Sequence, residues 1–469
     1  MDTVIVEVPE GYLPEISYIL NVILKEFLGL EYRIEKNSNE KIGLRVLGDA
    51  LGKSLITENI LFNIPTENWL KEESLPISPL PQWDVFDDLP EVKLCDKKLP
   101  VIYGRELANG KYLEQEGNNL HLGLDIFGSC FFMLTRYEEV VLKEKDGHGR
   151  FPAKASLAYK ERFLSHPVVN EYVEVLWAVM NRLWPNLKRK HRNYKVMLTH
   201  DVDHPFTVND QSWNRIIRNV GGDIVLRKDL GLAVSRIMCK IQNNPKLDPV
   251  YTFDFIMNLS EKYGLRSEFY FMTDYPAGSL DGSNYSIDSF FIKDLISVIN
   301  KRGHIVGFHA SYNSFRDPLR TKTEFEKLIK VAKQLGIKQN IWGGRQHYLR
   351  WENPITWQNW EDAGLNYDST LSFADYAGFR TGTCYEYPAF NLLERKSLQL
   401  REIPLIAMDG TLFGNDYMNL KQEDALQYIK QLSTFCKKFK GNLVLLWHNS
   451  SLVEKWQKIF YRDMLDAIV

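Results

Sequence analysis

The 469-residue sequence predicts an α/β protein in two parts: a smaller α/β or α+β domain over residues 1–190 and a larger β/α-repeating domain over residues 194–469. Three observations predict this division. The length fits two or three domains of roughly 150 residues each. Short apolar strands alternate with helices from about residue 194 onward. Polar side chains follow directly on several of those strands, as they do at the open end of a β/α barrel.

The first part begins with a predicted strand over residues 4–8. A helical apolar pattern over residues 16–28 follows, and then an alternating strand over residues 30–34. A later helix is predicted over residues 168–180. The basic run at residues 188–192 is interpreted as a solvated linker between the two domains.

The second part contains seven predicted strands. They lie at residues 196–198, 269–271, 305–308, 340–342, 366–367, 403–406 and 443–446. The clearest helix covers residues 325–335, with Thr321 and Glu324 at capping-box spacing and Gly336 at its end. Another helix covers residues 425–436 and carries the apolar stripe that packing on a sheet requires.

Composition excludes several classes of protein. Lys and Arg total 58 against 60 Asp and Glu, and this balance argues against nucleic acid as the main partner. The 5 cysteines are scattered without a CxxC spacing, which argues against a disulfide framework and a thiolate metal site. No window approaches a membrane span, and the N-terminus lacks the pattern of a signal peptide. We therefore expect a cytoplasmic protein without membrane insertion.

Side chains suited to catalysis or metal binding stand at the ends of five predicted strands. They are Asp201 and Asp203, His309, Arg345, Asp368, and His448. Each alone has an ordinary structural explanation, such as a turn aspartate or a hydrogen-bonded buried histidine. Because the strand ends of a β/α barrel converge on one mouth, their shared position favours a functional site.

Spacing adds detail to this prediction. Asp201 and Asp203 are two residues apart, so on a strand they point the same way, as a base and a ligand of one metal-bound water require. His309 and Asn313 are four apart, which on a helical turn lets them share a cation. Arg345 follows two glycines and can orient a carboxylate bidentately.

These segments resemble the successive motifs of the NodB-homology polysaccharide deacetylases, carbohydrate esterase family four. The motifs are Thr-His-Asp-Val-Asp at 199–203, Gly-His-Ile-Val-Gly-Phe-His at 303–309, Arg345, Asp368, and Leu-Trp-His at 446–448. The resemblance covers residues 194–469 and implies a distorted (β/α)7 barrel with a divalent metal ion. The ion is usually Zn²⁺, with Co²⁺, Ni²⁺ or Mn²⁺ as alternatives. Residues 1–190 resemble an uncharacterised domain that accompanies one branch of the superfamily.

The resemblance also implies a role for each motif residue. By it, the general base is Asp201, the metal ligands are Asp203 and His309, the tether of the base is Arg345, the general acid is His448, and the group that orients the acid is Asp368. Two positions depart from the family. Asn313 stands where a second metal histidine is common, with His304, Ser311 or His347 as substitutes, and Gln346 stands where the family has proline.

The predicted function is metal-dependent hydrolysis of a C–N amide bond. It removes an N-acetyl or other acyl group from a carbohydrate or glycan precursor, and does not cleave peptides. Two alternatives stay open: an inactive barrel that binds carbohydrate or acts as a scaffold, and a metal hydrolase of non-sugar amides or esters. The long connection over residues 205–248 is predicted to cover the mouth or to pack on the neighbouring domain.

Overall fold

A computed structural model describes residues 3–209, 211–273 and 285–469. The protein is mixed α/β, and its described strands form sheets of 6, 9 and 2 strands. None of the helices in those three ranges is long and apolar enough to cross a membrane.

The first part of the chain builds the six-stranded sheet. The strands of this first part, including two outside that sheet, are β1 Thr3–Val8, β2 Glu31–Lys36, β3 Ile42–Val46, β4 Ser54–Thr57, β5 Gln82–Asp84, β6 Lys98–Pro100, β7 Leu113–Glu116 and β8 Asn119–Leu122. Its α-helices are α1 Leu13–Leu20, α2 Ile126–Leu134, α3 Glu138–Val141, α4 Leu157–Lys160 and α5 Val168–Leu183. The sheet order is β2-β1-β3-β4-β8-β7, while β5 and β6 pair separately. Val4, Val6 and Val8 alternate along β1 and enter the core, which explains the predicted strand.

The second part builds the nine-stranded sheet. Its strands are β9 Lys195–Val202, β10 Ser267–Phe271, β11 Ile305–Ala310, β12 Gly343–Gln346, β13 Tyr367–Asp368, β14 Tyr387–Asn391, β15 Lys396–Glu402, β16 Ala407–Met408 and β17 Asn442–Leu446. Its α-helices are α6 Trp213–Val225, α7 Leu230–Gln242, α8 Phe253–Lys262, α9 Phe290–Lys301, α10 Pro318–Gln334, α11 Ile355–Asp362, α12 Asp409–Phe413, α13 Gln422–Phe439 and α14 Lys455–Ile468.

The order of this sheet is β14-β15-β13-β12-β11-β10-β9-β17-β16, and it curls into a half-barrel. Every pairing in it is parallel except that of β14 with β15. The carboxyl ends of the parallel strands therefore lie along one edge, and this edge carries the site described below.

The predicted strands that begin at residues 196, 269, 305 and 443 coincide with β9, β10, β11 and β17. The strand predicted at 340–342 lies three residues later, as β12. The one predicted at 403–406 is wrong: this apolar segment is buried but joins β15 to β16, and Pro404 has no amide hydrogen to give a ladder.

The helix predicted over residues 325–335 begins one turn earlier than its capping-box signal. Its N-cap is Asp317, whose carboxylate accepts a hydrogen bond from the amide of Arg320. Thr321 is buried inside the helix and bonds the carbonyls of Ser314 and Asp317 through its hydroxyl. Gly336 follows the helix with φ of +68°, as predicted for its end.

The two parts of the chain share one hydrophobic core. The helix α1 continues as a π-helix over Asn21–Phe27, and the hydroxyl of Tyr18 in α1 donates to the carbonyl of Pro388 in β14 at 2.8 Å. The half-barrel is therefore packed directly against the first part of the chain. The boundary near residue 190 stays a prediction.

A buried cluster of charges also joins the two parts. Glu139 accepts from Arg136 Nε at 2.8 Å and from Arg380 Nε and Nη2 at 2.9 and 2.5 Å, while Glu138 accepts from Arg136 Nη2 at 2.7 Å. All four side chains are at most 2% exposed. Burial raises the pKa of the Glu139 carboxyl, but the guanidinium groups of Arg380 and Arg136 outweigh it and lower the pKa to about 2. The Glu139 carboxylate is therefore ionised, and the guanidinium groups of Arg136 and Arg380 compensate its charge.

Candidate metal centre and active site

The candidate site lies at the carboxyl ends of β9, β11, β12 and β17. Parallel pairing sets His309 beside Arg345, one residue after Phe308 pairs with Gly344. A Cβ on Gly344 would lie only 1.7 Å from the carbonyl oxygen of Phe308, so only glycine permits this strand contact. Gly344 is thus required by the close approach of β11 and β12, and Gly343 by that of β12 and β13, where a Cβ would lie 2.4 Å from the Tyr367 ring and carbonyl.

Three side chains meet at this edge with the chemistry of metal ligands. Asp203, His309 and His347 each offer one ligand atom, and these atoms lie within 4.8 Å of one another. His309 Nε2 is 3.1 Å from Asp203 Oδ1, and His347 Nε2 is 3.7 Å from the same oxygen. One carboxylate and two imidazoles are a donor set that suits Zn²⁺ and related ions.

Hydrogen bonding around His309 supports this interpretation. His309 Nδ1 donates to the carbonyl of Arg345 at 2.9 Å, so Nε2 faces Asp203. Within the described residues, the buried atoms His309 Nε2 and Asp203 Oδ1 lie 3.1 Å from each other and form no hydrogen bond with any other group. A histidine that binds a metal typically donates one ring nitrogen to a carbonyl and turns the other toward the ion. The residues present therefore fit a divalent cation.

The charges of Asp203 and His347 agree with this use. Burial raises the pKa of the Asp203 carboxyl, but the imidazoles of His347, His309 and His448 outweigh it, and the pKa lies well below its usual range. Burial lowers the pKa of His347 to about 4. At neutral pH the carboxylate is thus ionised and His347 is neutral, the states in which both groups bind a metal.

Asp201 is held beside this cluster by Arg345, as the resemblance implies. Arg345 is fully buried, and its Nη1 donates to Asp201 Oδ1 at 2.8 Å. Its other nitrogens donate to Thr199 Oγ1 at 3.0 Å and to the Ser369 carbonyl at 2.8 Å. The other oxygen of Asp201 lies 3.9 Å from His309 Nδ1. The guanidinium thus fixes one carboxylate oxygen and leaves the second facing the cluster.

His448 enters the site from the end of β17, and the carboxylate that orients it is Asp409, not Asp368. Asp409 Oδ1 lies 2.7 Å from His448 Nδ1, and Asp409 Oδ2 accepts from the His448 amide at 3.0 Å. The opposite nitrogen, Nε2, is 3.6 Å from Asp203 Oδ2. Burial lowers the pKa of His448, but the carboxylates of Asp409, Asp203 and Asp201 outweigh it and raise the pKa to about 10.

Asp368 has a structural position. It is fully buried and its Oδ1 accepts from the amide and the hydroxyl of Thr370. It stands opposite Glu402 across the β13–β15 pairing. Burial raises the pKa of Asp368 to about 7, and burial together with Asp368 raises that of Glu402 well above its usual range. Because the two carboxyl groups are neighbours, ionisation of one disfavours ionisation of the other.

We expect Asp368→Asn to change how stability depends on pH. The folded pKa of about 7 lies above the usual value of 3.8, so folding favours the neutral carboxyl. Its contribution to stability is complete below pH 4 and is lost as pH rises toward 7, at on the order of 1 kcal/mol per pH unit. Chemical denaturation at several pH values should show that the free energy of unfolding of Asp368→Asn rises relative to that of the wild type over this pH range. The exposed Asp362→Asn is the control, and a parallel pH profile for Asp368→Asn would contradict the assignment.

Asn313, predicted to be a metal ligand, is not part of the cluster of Asp203, His309 and His347. It is exposed, and its amide oxygen accepts from Arg350 Nη1 at 3.1 Å. Of the three substitutes, His304 bonds the Ser267 amide and Ser311 donates to Glu324, while His347 joins the cluster. The prediction is wrong because Asn313 lies in a turn after β11 and not on a helix. Its four-residue spacing from His309 therefore does not place the two side chains on one face.

The backbone after His347 is unusual. Tyr348 and Leu349 have positive φ values of 60° and 54°, a conformation that costs a non-glycine residue about 1–2 kcal/mol. The turn directs His347 toward Asp203 and leaves the Tyr348 ring exposed at the mouth. Arg150, from the first part of the chain, holds this turn by donating to the Tyr348 carbonyl at 2.8 Å.

The rim beside His347 is aromatic and partly built by the first part of the chain. Tyr348 packs edge-on against Tyr312 and His347, and His148 lies 4.9 Å from the Tyr348 ring. His148 Nδ1 is also 3.0 Å from the Tyr312 hydroxyl. The sequence does not point to His148, Tyr312 or Tyr348 as rim residues, because only the tertiary fold brings their rings together. Together they form an aromatic lip next to the metal-ligand cluster.

Comparison with known proteins gives one family match and several distant structural similarities. Residues 4–185 match the model of a family of unknown function, DUF7033. No curated protein sequence matches the chain.

Three solved structures illustrate the distant similarities. A Mycobacterium smegmatis protein assigned as a polysaccharide deacetylase aligns with a TM-score of 0.38 and 14% identity, over 59% of this chain and 84% of its own. PuuE allantoinase aligns with a TM-score of 0.36 and 11% identity, over 59% and 84%. Agd3, a carbohydrate deacetylase, aligns with a TM-score of 0.33 and 10% identity, over 99% and 84%.

Proposed function

We propose that the chain is a metal-dependent hydrolase that removes an N-acetyl or other acyl group from a carbohydrate or glycan precursor. The observation that carries the proposal is the meeting of Asp203, His309 and His347 within 4.8 Å, with Asp201 3.9 Å from His309 and His448 3.6 Å from Asp203. The order of the motifs from residue 199 to 448 supports the carbohydrate class, and the aromatic lip offers rings on which a sugar can stack.

Asp203, His309 and His347 would hold the cation in this proposal. Zn²⁺ or a similar ion there supplies Lewis acidity, which lowers the pKa of water and polarises an acyl oxygen. Each ligand is fixed by the chain itself: His309 by the Arg345 carbonyl, and His347 by the turn that Arg150 holds. Such support keeps ligand atoms in position without reorganisation.

Asp201 acts as the general base. Its Oδ1 is bound to Arg345, so Oδ2 accepts the proton of the water that attacks the acyl carbon. The buried guanidinium of Arg345 orients the Asp201 carboxylate before the reaction.

His448 acts as the general acid. With a pKa raised to about 10, its imidazole is protonated at neutral pH, and Nε2 faces the site while Asp409 holds Nδ1. The proton moves from Nε2 to the sugar nitrogen as the C–N bond breaks, and the products are a carboxylic acid and an amine. Without this proton the leaving group would be an amine anion.

The test is acetate release from N-acetylated sugars by the chelated and the metal-loaded protein, with acetyl esters and N-acetylated peptides as comparison substrates. We expect release from the sugars, loss on chelation and recovery with Zn²⁺ or Co²⁺. Asp201→Asn should retain metal but lose release by about 10²–10⁴-fold, the usual contribution of a general base. Metal binding without hydrolysis of any N-acyl sugar would indicate an inactive binding protein, and hydrolysis of esters alone would indicate the other class of hydrolase.

We expect Asp409→Asn to move the alkaline limb of the pH–rate profile to lower pH. Asp409 is the carboxylate that most strongly raises the pKa of His448, so the neutral amide lets the imidazole lose its proton earlier. Loss of an adjacent opposite charge moves a pKa by about 1–3 units. The matched control is Asp368→Asn, which should leave the limb in place. A shift of the limb in Asp368→Asn, with none in Asp409→Asn, would show that Asp368 and not Asp409 orients His448.

A further inference from the structure

The connection after β9 forms a two-helix hairpin with an apolar outer face. The amphipathic hairpin, residues 213–242, comprises α6 and α7. On its inner side, Ile216 and Cys239 pack with Val208, and the buried carboxylate of Asp223 accepts from Arg236 Nε at 2.7 Å. Its outer side differs sharply from this packed interior. Large apolar side chains are exposed there at helical spacing: Trp213, Ile217, Leu230, Val234 and Ile241.

The tip of the hairpin is the most apolar and the most exposed part. Val225 is 70% exposed and Leu226 is 81% exposed, and Ile224 precedes them. Arg227 and Lys228 follow directly. Contiguous exposed apolar residues of this size mark an interaction surface when they form a patch rather than occurring singly.

The hairpin is basic in a protein that is slightly acidic overall. Residues 213–242 contain six Lys and Arg against two Asp, a formal charge of +4, while the whole chain carries −2. One of the two acidic residues, Asp223, is buried and already paired with Arg227 and Arg236. The exposed charge of the hairpin is therefore almost entirely positive.

The base of the hairpin is attached to the rim of the candidate site. The amide of Asn449, the residue after His448, donates to the carbonyls of His204 and Val250, both at 2.9 Å. Near the tip, Arg227 Nε donates to Glu454 at 3.2 Å. These contacts fix the hairpin on the same edge of the sheet as the mouth, so whatever it binds lies beside that mouth.

We propose that the amphipathic hairpin docks the protein on an anionic lipid surface, with Val225 and Leu226 entering the headgroup region. Helices of this kind lie in the membrane interface when large aliphatic residues and Trp form one face and Lys and Arg flank it. Charge complementarity selects anionic lipid. A protein interface is less suited to this surface, because a projecting tip buries little area on a flat partner.

The test is flotation of the full-length protein with vesicles of phosphatidylcholine alone or mixed equally with phosphatidylglycerol. We expect binding to the mixed vesicles only, weakened by salt. The double change Val225→Ser with Leu226→Ser should weaken binding at least about tenfold through lost apolar burial. Lys228→Glu should weaken it by about tenfold through charge.

The control is Ile77→Ser, which removes an apolar side chain that is 87% exposed in the first part of the chain and should leave flotation unchanged. Thermal unfolding of each variant verifies that it folds. The proposal is overturned if wild type does not float with the mixed vesicles, or if the double variant floats equally well. A concentration-dependent dimer that the double variant abolishes would also overturn it, because a second copy would then cover the face. The readout is lipid binding, so it does not depend on the proposed hydrolysis.

Discussion

His347→Ala is expected to weaken Zn²⁺ binding by at least about 100-fold, because even the loss of a group that only hydrogen-bonds a ligand costs about 10–100-fold in metal affinity. His347 Nε2 is 3.7 Å from Asp203 Oδ1, so its removal leaves one imidazole and one carboxylate in the cluster. Two protein ligands fall short of the three that catalytic zinc sites use. Isothermal titration of the chelated protein measures the affinity directly, and acetate release should fall in parallel.

The matched variant is Asn313→Ala, at the position where the sequence resemblance expects a ligand. The Asn313 amide oxygen accepts from Arg350, so its loss should leave metal affinity within about twofold, in line with small effects of exposed contacts. Co²⁺ loading gives a second readout, since the visible spectrum reports the ligand set. Weak binding in Asn313→Ala with normal binding in His347→Ala would reverse the assignment.

Arg380→Met is expected to destabilise the fold by about 3–5 kcal/mol, the usual cost of removing one partner from a buried ion pair. Arg380 donates twice to Glu139, and both side chains are at most 2% exposed. Arg136 remains as a partner of Glu139, which places the expected cost near the lower end of that range. Chemical denaturation monitored by tryptophan fluorescence measures the change.

Two further variants separate charge from packing in this cluster. Adding Glu139→Gln to Arg380→Met removes the unpaired carboxylate and should recover part of the lost stability. The control Arg45→Met breaks a half-exposed pair with Glu35 and should cost at most about 1 kcal/mol. Equal losses in Arg45→Met and Arg380→Met would show that burial of the cluster does not matter.

In the half-barrel, the strands that form continuous apolar runs are the ones most readily predicted from the sequence. The strands β10 and β11 are continuously buried and are recognised as short apolar runs. In β15 buried and exposed residues alternate, with Leu398 and Leu400 inward, because its outer face is open to solvent. The sequence pattern therefore does not predict the antiparallel pair β14–β15, and it wrongly predicts a strand in the apolar segment that follows, residues 403–406.

The same physics explains which site residues could be predicted. Asp201, His309 and His448 come directly after or within apolar strands, so their position at the sheet edge can be read from the sequence. His347 and Asp409 cannot be found in this way. His347 depends on the positive φ of the residue after it, and Asp409 begins a five-residue helix after a two-residue strand. Their signals are tertiary.

The aromatic lip also bears on how such proteins can diversify. His148 and Arg150 belong to the first part of the chain, whereas the metal-ligand cluster and the groups that move protons belong to the second. Recombination that exchanged only the leading segment between homologues would bring a new entrance to an unchanged reaction centre. The residues that select the substrate and the residues that catalyse bond cleavage could then come from different parent proteins.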